Sequence, residues 1–108
     1  MDNLILPNTF LEKATFLANE PCWQKEDAQA VVNFFKQSGY AVLGVEIWKS
    51  CGEFPQVLGW SEYEVLFDGD WIRFVQLNAQ YALLDIERAG QNELINLKWV
   101  SQTEFEKL

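Results

Sequence analysis

The chain contains no histidine, and only eight of its 108 residues are Lys or Arg against sixteen Asp or Glu. Without histidine the commonest general base and metal ligand is missing. The few bases are scattered rather than clustered, so the counterion release that drives phosphate binding has no source, and nucleic acid is not an expected partner. An anionic membrane surface is disfavoured on the same ground. No apolar run approaches the roughly 20 residues that span a bilayer, and the N-terminus lacks the basic and apolar regions of a signal peptide. A cytoplasmic location is therefore expected. Cysteine is scarce too: Cys22 and Cys51 follow no ligand spacing and have no histidine to complete a zinc site. They read as small apolar residues kept reduced, with a disulfide between them left open. Neither a G-x-S-x-G elbow nor a phosphate-cradling G-x-x-x-x-G-K-[ST] loop occurs, and no cofactor is expected.

What the chain does have is apolar mass. Nearly half of it (49%) is hydrophobic and 15% is aromatic, which outweighs a net charge of −8 and predicts a folded domain. At this length there is one core and one domain. No repeat, low-complexity tract or linker divides it, and the expected state is a monomer or small homo-oligomer.

Local patterns predict an α+β fold in the order α-α-β-β-α-β, with a small antiparallel sheet packed against helices. Thr9 and Glu12 have the spacing of a capping box, which starts a first helix carrying Phe10, Leu11, Ala14, Leu17 and Ala18 until Asn19 to Pro21 end it. A second helix begins between Pro21 and Gln24 and stops at Gly39, with Ala28, Val31, Val32 and Phe35 as its core stripe. Residues 41–49 then read as a strand with Ala41, Leu43, Val45 and Ile47 inward. Gly44 in its middle marks a bulge or a close backbone approach. After a loop holding Gly52, Pro55 and Gly59, residues 62–67 alternate, placing Tyr63, Val65 and Phe67 on the core side of a second strand. Asp70 is a suitable N-cap for a helix over 71–89 with Ile72, Val75, Ala79, Ala82, Leu83 and Ile86 on one stripe, and two strands are the rival reading. Leu94 to Val100 alternates again, with Ile95, Leu97 and Trp99 inward and Asn96 and Lys98 outward. Ser101 to Leu108 is a final turn or a fraying tail.

The functional signal concentrates between Tyr40 and Trp71. This stretch holds three of the five Trp residues and six acids, and no base lies between Lys49 and Arg73. Aromatics combined with one sign of charge suit a surface for a basic protein partner. The candidate partner-binding residues are Glu46 and Trp48 on one strand, Glu62 and Glu64 on the next, Glu53, Phe54 and Trp60 in the loop, and Asp68 and Asp70 in the turn. Trp supplies contact area at low entropic cost, and the carboxylates pair with Lys and Arg or mimic a phosphate backbone. The plainer alternative is that the Trp residues pack the core or its rim while the acids keep the protein soluble. Glu46 with Glu62 or Glu64 would be the only carboxylate pair for acid–base chemistry. On a wet sheet face in so short a chain, solvated acids are the expected reading, so no catalytic residues and no enzyme are predicted.

The segment LGVEIWKS (Leu43 to Ser50), followed by a loop, a strand and DGDW (Asp68 to Trp71) before a helix, resembles the immunity proteins of bacterial polymorphic and contact-dependent toxin systems, in particular the immunity protein 40 family. That resemblance implies a cytosolic inhibitor of one cognate toxin domain, acting at the toxin's active site or an exosite. It carries over no site residues. A non-enzymatic interaction subunit or adaptor, or a small-ligand-binding α+β domain with Trp-lined walls, are the other classes the sequence allows.

Overall fold

The computed structural model describes residues 6–49, 56–63 and 65–107. In chain order the elements are α1 (Asn8–Lys13), β1 (Thr15–Leu17), β2 (Glu20–Cys22), α2 (Lys25–Ser38), β3 (Ala41–Lys49), β4 (Gln56–Glu62), α3 (Trp71–Glu87), β5 (Glu93–Val100) and α4 (Gln102–Glu106). This is the expected α+β class. A two-stranded hairpin of β1 and β2 and a closing helix are added to the expected elements. β3 is the centre of a three-stranded antiparallel sheet ordered β4-β3-β5. The main core joins α2 and α3 to β3 and β5 through residues such as Val32, Phe35, Val45, Ala82, Ile86 and Ile95.

The first expected helix is only half present. α1 ends at Lys13, and the chain turns back through Ala18 and Asn19, whose φ angles of 51° and 65° are both left-handed. With Leu17 opposite Glu20, these two residues form the two-residue connection that a right-twisted hairpin favours. The apolar residues of this segment serve a helix stripe and a hairpin equally well, so the pattern alone did not separate them. The Thr9–Glu12 capping box is also absent. The helix starts at Asn8, which puts Thr9 inside its first turn, and the amides of Phe10 and Leu11 are taken by the Pro7 carbonyl instead. Pro21 lies in β2 rather than opening a helix.

α2 follows its expected pattern. Ala28, Val31, Val32 and Phe35 are buried, and Gly39 adopts φ 80° to close the helix. There the amide of Tyr40 donates to Phe35 O at 2.9 Å and that of Gly39 to Lys36 O at 3.4 Å, the paired bonds of a Schellman end. Trp23, directly before α2, is fully buried and exchanges backbone hydrogen bonds with Ile95, tying the hairpin to the free edge of β5.

β3 occupies the expected residues, but its facing differs. A bulge at Leu43 interrupts the register with β5, so Val42, expected on the outer face, is buried in the main core together with Val45. Ala41 and Leu43 instead join a second cluster with Phe74, Val75, Val65, Phe67, Trp71 and Phe105. Gly44 fulfils both sequence expectations. It adjoins the bulge, and a Cβ placed on it would sit 2.5 Å from the Ser61 carbonyl oxygen.

The second strand of the sheet covers residues 56–62, most of which were expected to be loop, whereas residues 63 and 65–67 have no regular structure. Tyr63, Val65 and Phe67 still face the core, since side chains of any extended segment alternate. α3 is one helix, and Asp70 caps it by accepting the Arg73 amide at 3.1 Å. Its buried side is Phe74, Val75, Asn78, Ala79, Ala82 and Ile86. Ile72, expected in the stripe, is 71% exposed and borders a shallow surface groove beside Trp71, while its neighbours Trp71, Phe74 and Val75 pack into the second cluster. Asn96, expected outward, is buried beneath the hairpin and donates from Nδ2 to the Pro21 carbonyl at 3.0 Å. The C-terminal segment forms α4, opened by a capping box of Ser101 and Glu104.

Candidate functional site

The register of β3 with β4 decides which predicted residues meet. Glu46 lies opposite Trp60, Gly44 opposite Glu62 and Trp48 opposite Val57. Directly opposed residues share a face, so Glu46, Trp48, Trp60 and Glu62 stand on one side of the sheet. β5 brings Lys98 opposite Gly44 and Asn96 opposite Glu46 on the same side. Trp60 is 71% exposed, the largest exposed aromatic surface among the described residues, and Glu62 beside it is exposed. Trp48 is half-buried, and its indole N–H is buried with no partner among the described residues.

Glu46 and Lys98 were not expected to meet. Lys98 Nζ lies 3.3 Å from Glu46 Oε1 and 3.1 Å from Glu20 Oε1, so one ammonium holds β3, β5 and the hairpin together. Burial pulls the Lys98 pKa down, but the hydrogen bonds and charges of Glu20 and Glu46 outweigh it and leave the ammonium above its ordinary value. The acidic platform is therefore narrower than the sequence suggests, because Glu46 is paired while Glu62 stays unpaired among the described residues. Lys98 was legible as an outward residue of its strand. Its partners were not, since they come from β3 and from the unforeseen hairpin.

A cleft of about 450 Å³ opens beside these residues, with Leu43, Val65, Phe74 and Phe105 as apolar walls and Glu46, Glu62 and Lys98 as polar ones. Tyr63 separates it from a second cleft of about 510 Å³, where Leu66, Leu77 and Tyr81 meet Glu62. The Tyr63 hydroxyl donates to Asp85 Oδ2 at 2.7 Å and its ring stacks on Tyr81 at 5.7 Å, which anchors the segment after β4 to α3. None of these apolar walls was among the predicted site residues. Their facing the cleft follows from packing, for which the sequence holds no local signal.

Asp68 and Asp70 stand apart from this surface. Asp70 is engaged as the cap of α3, and Asp68 Oδ1 accepts the Asp70 amide at 3.0 Å while its other oxygen pairs with Arg73 at 3.6 Å. They border a separate shallow groove with Trp71 and Gln102. The predicted residues Glu53, Phe54 and Glu64 lie outside the described residues, as does Cys51, so the open question of a Cys22–Cys51 disulfide also falls there. Among the described residues no group of His, Cys, Asp or Glu could hold a metal ion, and no helix is long and apolar enough to cross a membrane.

A buried thiol and a half-buried phenol make the fold sensitive to alkali. Burial pushes the Cys22 thiol up to about 11 from an ordinary 9.0, and burial together with the Asp85 carboxylate raises the Tyr63 phenol well above its ordinary 10.0. Both are neutral when protonated and titrate higher in the folded state. Their stabilisation is thus fully present below pH 9 and is lost as pH rises through the folded-state values. The urea midpoint is expected to hold up to about pH 9 and then fall towards pH 11. Tyr63→Phe should flatten part of that fall. A midpoint that stays level between pH 8 and 11 would contradict the burial of both groups.

No protein-family model, curated protein or solved structure matches this chain.

Proposed function

We propose that this chain is a non-enzymatic inhibitor that binds a basic bacterial toxin domain in the cytosol. The contact surface is the open side of β3 and β4, with Trp60 as apolar anchor and Glu62 as the unpaired charge. The observation that supports it most is Trp60, a large aromatic left 71% exposed on a strand whose flanking sequence has no base from Ser50 to Ile72. Interface energy concentrates in such aromatic anchors, while rim carboxylates raise the association rate with a positively charged partner. The resemblance of Leu43 to Ser50 and Asp68 to Trp71 to immunity proteins supplies the toxin as the partner class.

Co-expression with a toxin domain encoded by the adjacent gene should restore growth and yield a stable complex. Trp60→Ala is expected to weaken that complex about 30-fold, an anchor loss of ~2 kcal/mol. Glu62→Lys should slow association and reduce its salt dependence, and both variants should melt like the parent. Growth that is not restored removes the toxin reading for that partner. Undiminished affinity in both variants places the interface elsewhere.

A second reading rests on the cleft, whose volume of about 450 Å³ and mixed walls are those of a small-molecule site. A ligand there would raise the melting temperature by mass action, by about 2.7 kcal/mol of stability at a hundredfold excess over Kd. Binding to the basic domain would not depend on that ligand.

A further inference from the structure

β4 is an edge strand, and over residues 59–62 its free edge has no bulge, Lys or Pro to protect it. In the sheet order β4-β3-β5 only β3 pairs with it, and among the described residues no backbone bond reaches its other side. Residues 56–62 contain neither Lys nor Pro, the residues that normally blunt an exposed edge. The one irregularity, where Leu58 is passed over between Val57 and Gly59, lies at the far end and leaves residues 59–62 in regular register.

The direction of the free backbone groups follows from one hydrogen bond. Tyr63 donates its amide to Leu43 O at 3.0 Å, so this is a hydrogen-bonded pair of the antiparallel ladder. Such pairs alternate. Ser61 and Gly59 therefore turn their N–H and C=O groups towards β3, whereas Trp60 and Glu62 turn theirs outward. The two residues whose side chains dominate the exposed surface also present the unpaired backbone donors and acceptors. Glu62 borders both clefts, so apolar seats lie on either side of this edge.

We propose that β4 accepts an extended, basic segment of the partner as a fourth strand, hydrogen-bonded to the backbone of Trp60 and Glu62. Backbone pairing supplies affinity, and alternate side chains supply specificity, as in other strand-addition sites. The occupant is argued from charge. The chain carries −8 overall, no base occurs between Lys49 and Arg73, and Glu62 is unpaired among the described residues, while Lys98, the base that shares its cleft, is offset by Glu20 and Glu46, so Lys or Arg on the incoming strand finds a free carboxylate. A second copy of this chain would bring like charge to the same edge. The inference rests on the proposed binding surface and adds the mode of docking.

The test uses a peptide of about ten residues alternating lysine and valine, the length of an ordinary strand. Its backbone amide resonance shifts on the protein should centre on Trp60 and Glu62. Glu62→Pro, which removes the carboxylate and an outward N–H, should bind at least tenfold more weakly than Glu62→Gln, which loses the same charge but keeps the donor. Methylating alternate amide nitrogens of the peptide should abolish binding to the unmodified protein, which keeps the test intact if Glu62→Pro folds poorly. A glutamate–valine peptide should not bind. Equal affinity of the Pro and Gln variants, indifference to methylation, no binding of the lysine peptide, or shifts away from β4 would each overturn strand addition. So would concentration-dependent dimerisation abolished by Glu62→Pro, which assigns the edge to a second copy. If Trp60→Ala and Glu62→Lys weaken the toxin complex while the Pro and Gln variants bind it alike, strand addition fails and the surface reading stands. If the peptide adds to β4 but no adjacent toxin domain is neutralised, the reverse holds.

Discussion

Trp23→Ala is expected to destabilise the protein by about 3–5 kcal/mol, the range for deleting a fully buried aromatic side chain. Trp23 has no exposed surface, and its indole Nε1 donates to Phe10 O at 2.8 Å. Its backbone exchanges bonds of 2.9 and 2.7 Å with Ile95, joining the hairpin side to the sheet together with the Asn96–Pro21 hydrogen bond and the Lys98–Glu20 ion pair. Removing the ring leaves a cavity among α1, α2 and β5 and strips the Phe10 carbonyl of its donor. A domain of this size has roughly 5–15 kcal/mol to lose, so a large part of its stability is at stake. The melting temperature should fall by roughly 12 °C or more, taking about 4 °C per kcal/mol. Trp60→Ala, which removes an exposed ring, should change stability by no more than about 0.5 kcal/mol. Thermal and urea melts of the two variants side by side decide the matter. A Trp23→Ala protein that melts within a few degrees of the parent would mean that Trp23 is not enclosed.

Gly44→Ala should cost about 1–3 kcal/mol, the usual range for overpacking. The new methyl group would lie 2.5 Å from the Ser61 carbonyl oxygen and 3.6 Å from the Glu62 Cα. Both are backbone atoms of the paired strand, so no side chain can swing aside, and β3 and β4 must separate. Because Trp60 and Glu62 are held by that pairing, partner affinity should fall together with stability. Gly59→Ala is the matched control on the opposite strand. Nothing lies within 4 Å of its would-be Cβ, and replacing a strand glycine recovers about 0.5–1 kcal/mol of chain entropy. Similar losses from the two substitutions would show that the close approach at Gly44 is not what makes it costly to replace.

The juxtaposition of the candidate residues is partly legible in the sequence. Glu46, Trp48, Trp60 and Glu62 were identified as candidates, and the antiparallel pairing of β3 with β4 brings all four to one side of the sheet. The expected length of the acidic patch was not found, because Lys98 reaches Glu46 from a strand 52 positions later in the sequence. β4 also lies earlier in the chain, at Gln56–Glu62, than the expected strand over 62–67. Gly52, Pro55 and Gly59 suggested a loop through its first residues, but a glycine tolerated in a strand and one demanded by a turn look the same in sequence.

Periodicity and capping chemistry were enough by themselves to determine the class of fold, the span of β3, the core stripe of α2 with its Gly39 stop, and α3 with its Asp70 cap. Each depends on residues within one or two turns of one another, and those interactions are written in the local order of the chain. The tertiary structure decided the hairpin at Ala18 and Asn19, the bulge that turns Val42 inward, the ion pairs of Lys98, and the free edge at Trp60 and Glu62. These depend on which strand lies beside which and in what register, and a shift of one residue would exchange the buried and exposed sides. No local pattern specifies that choice, and the packing of α2 and α3 over the sheet does.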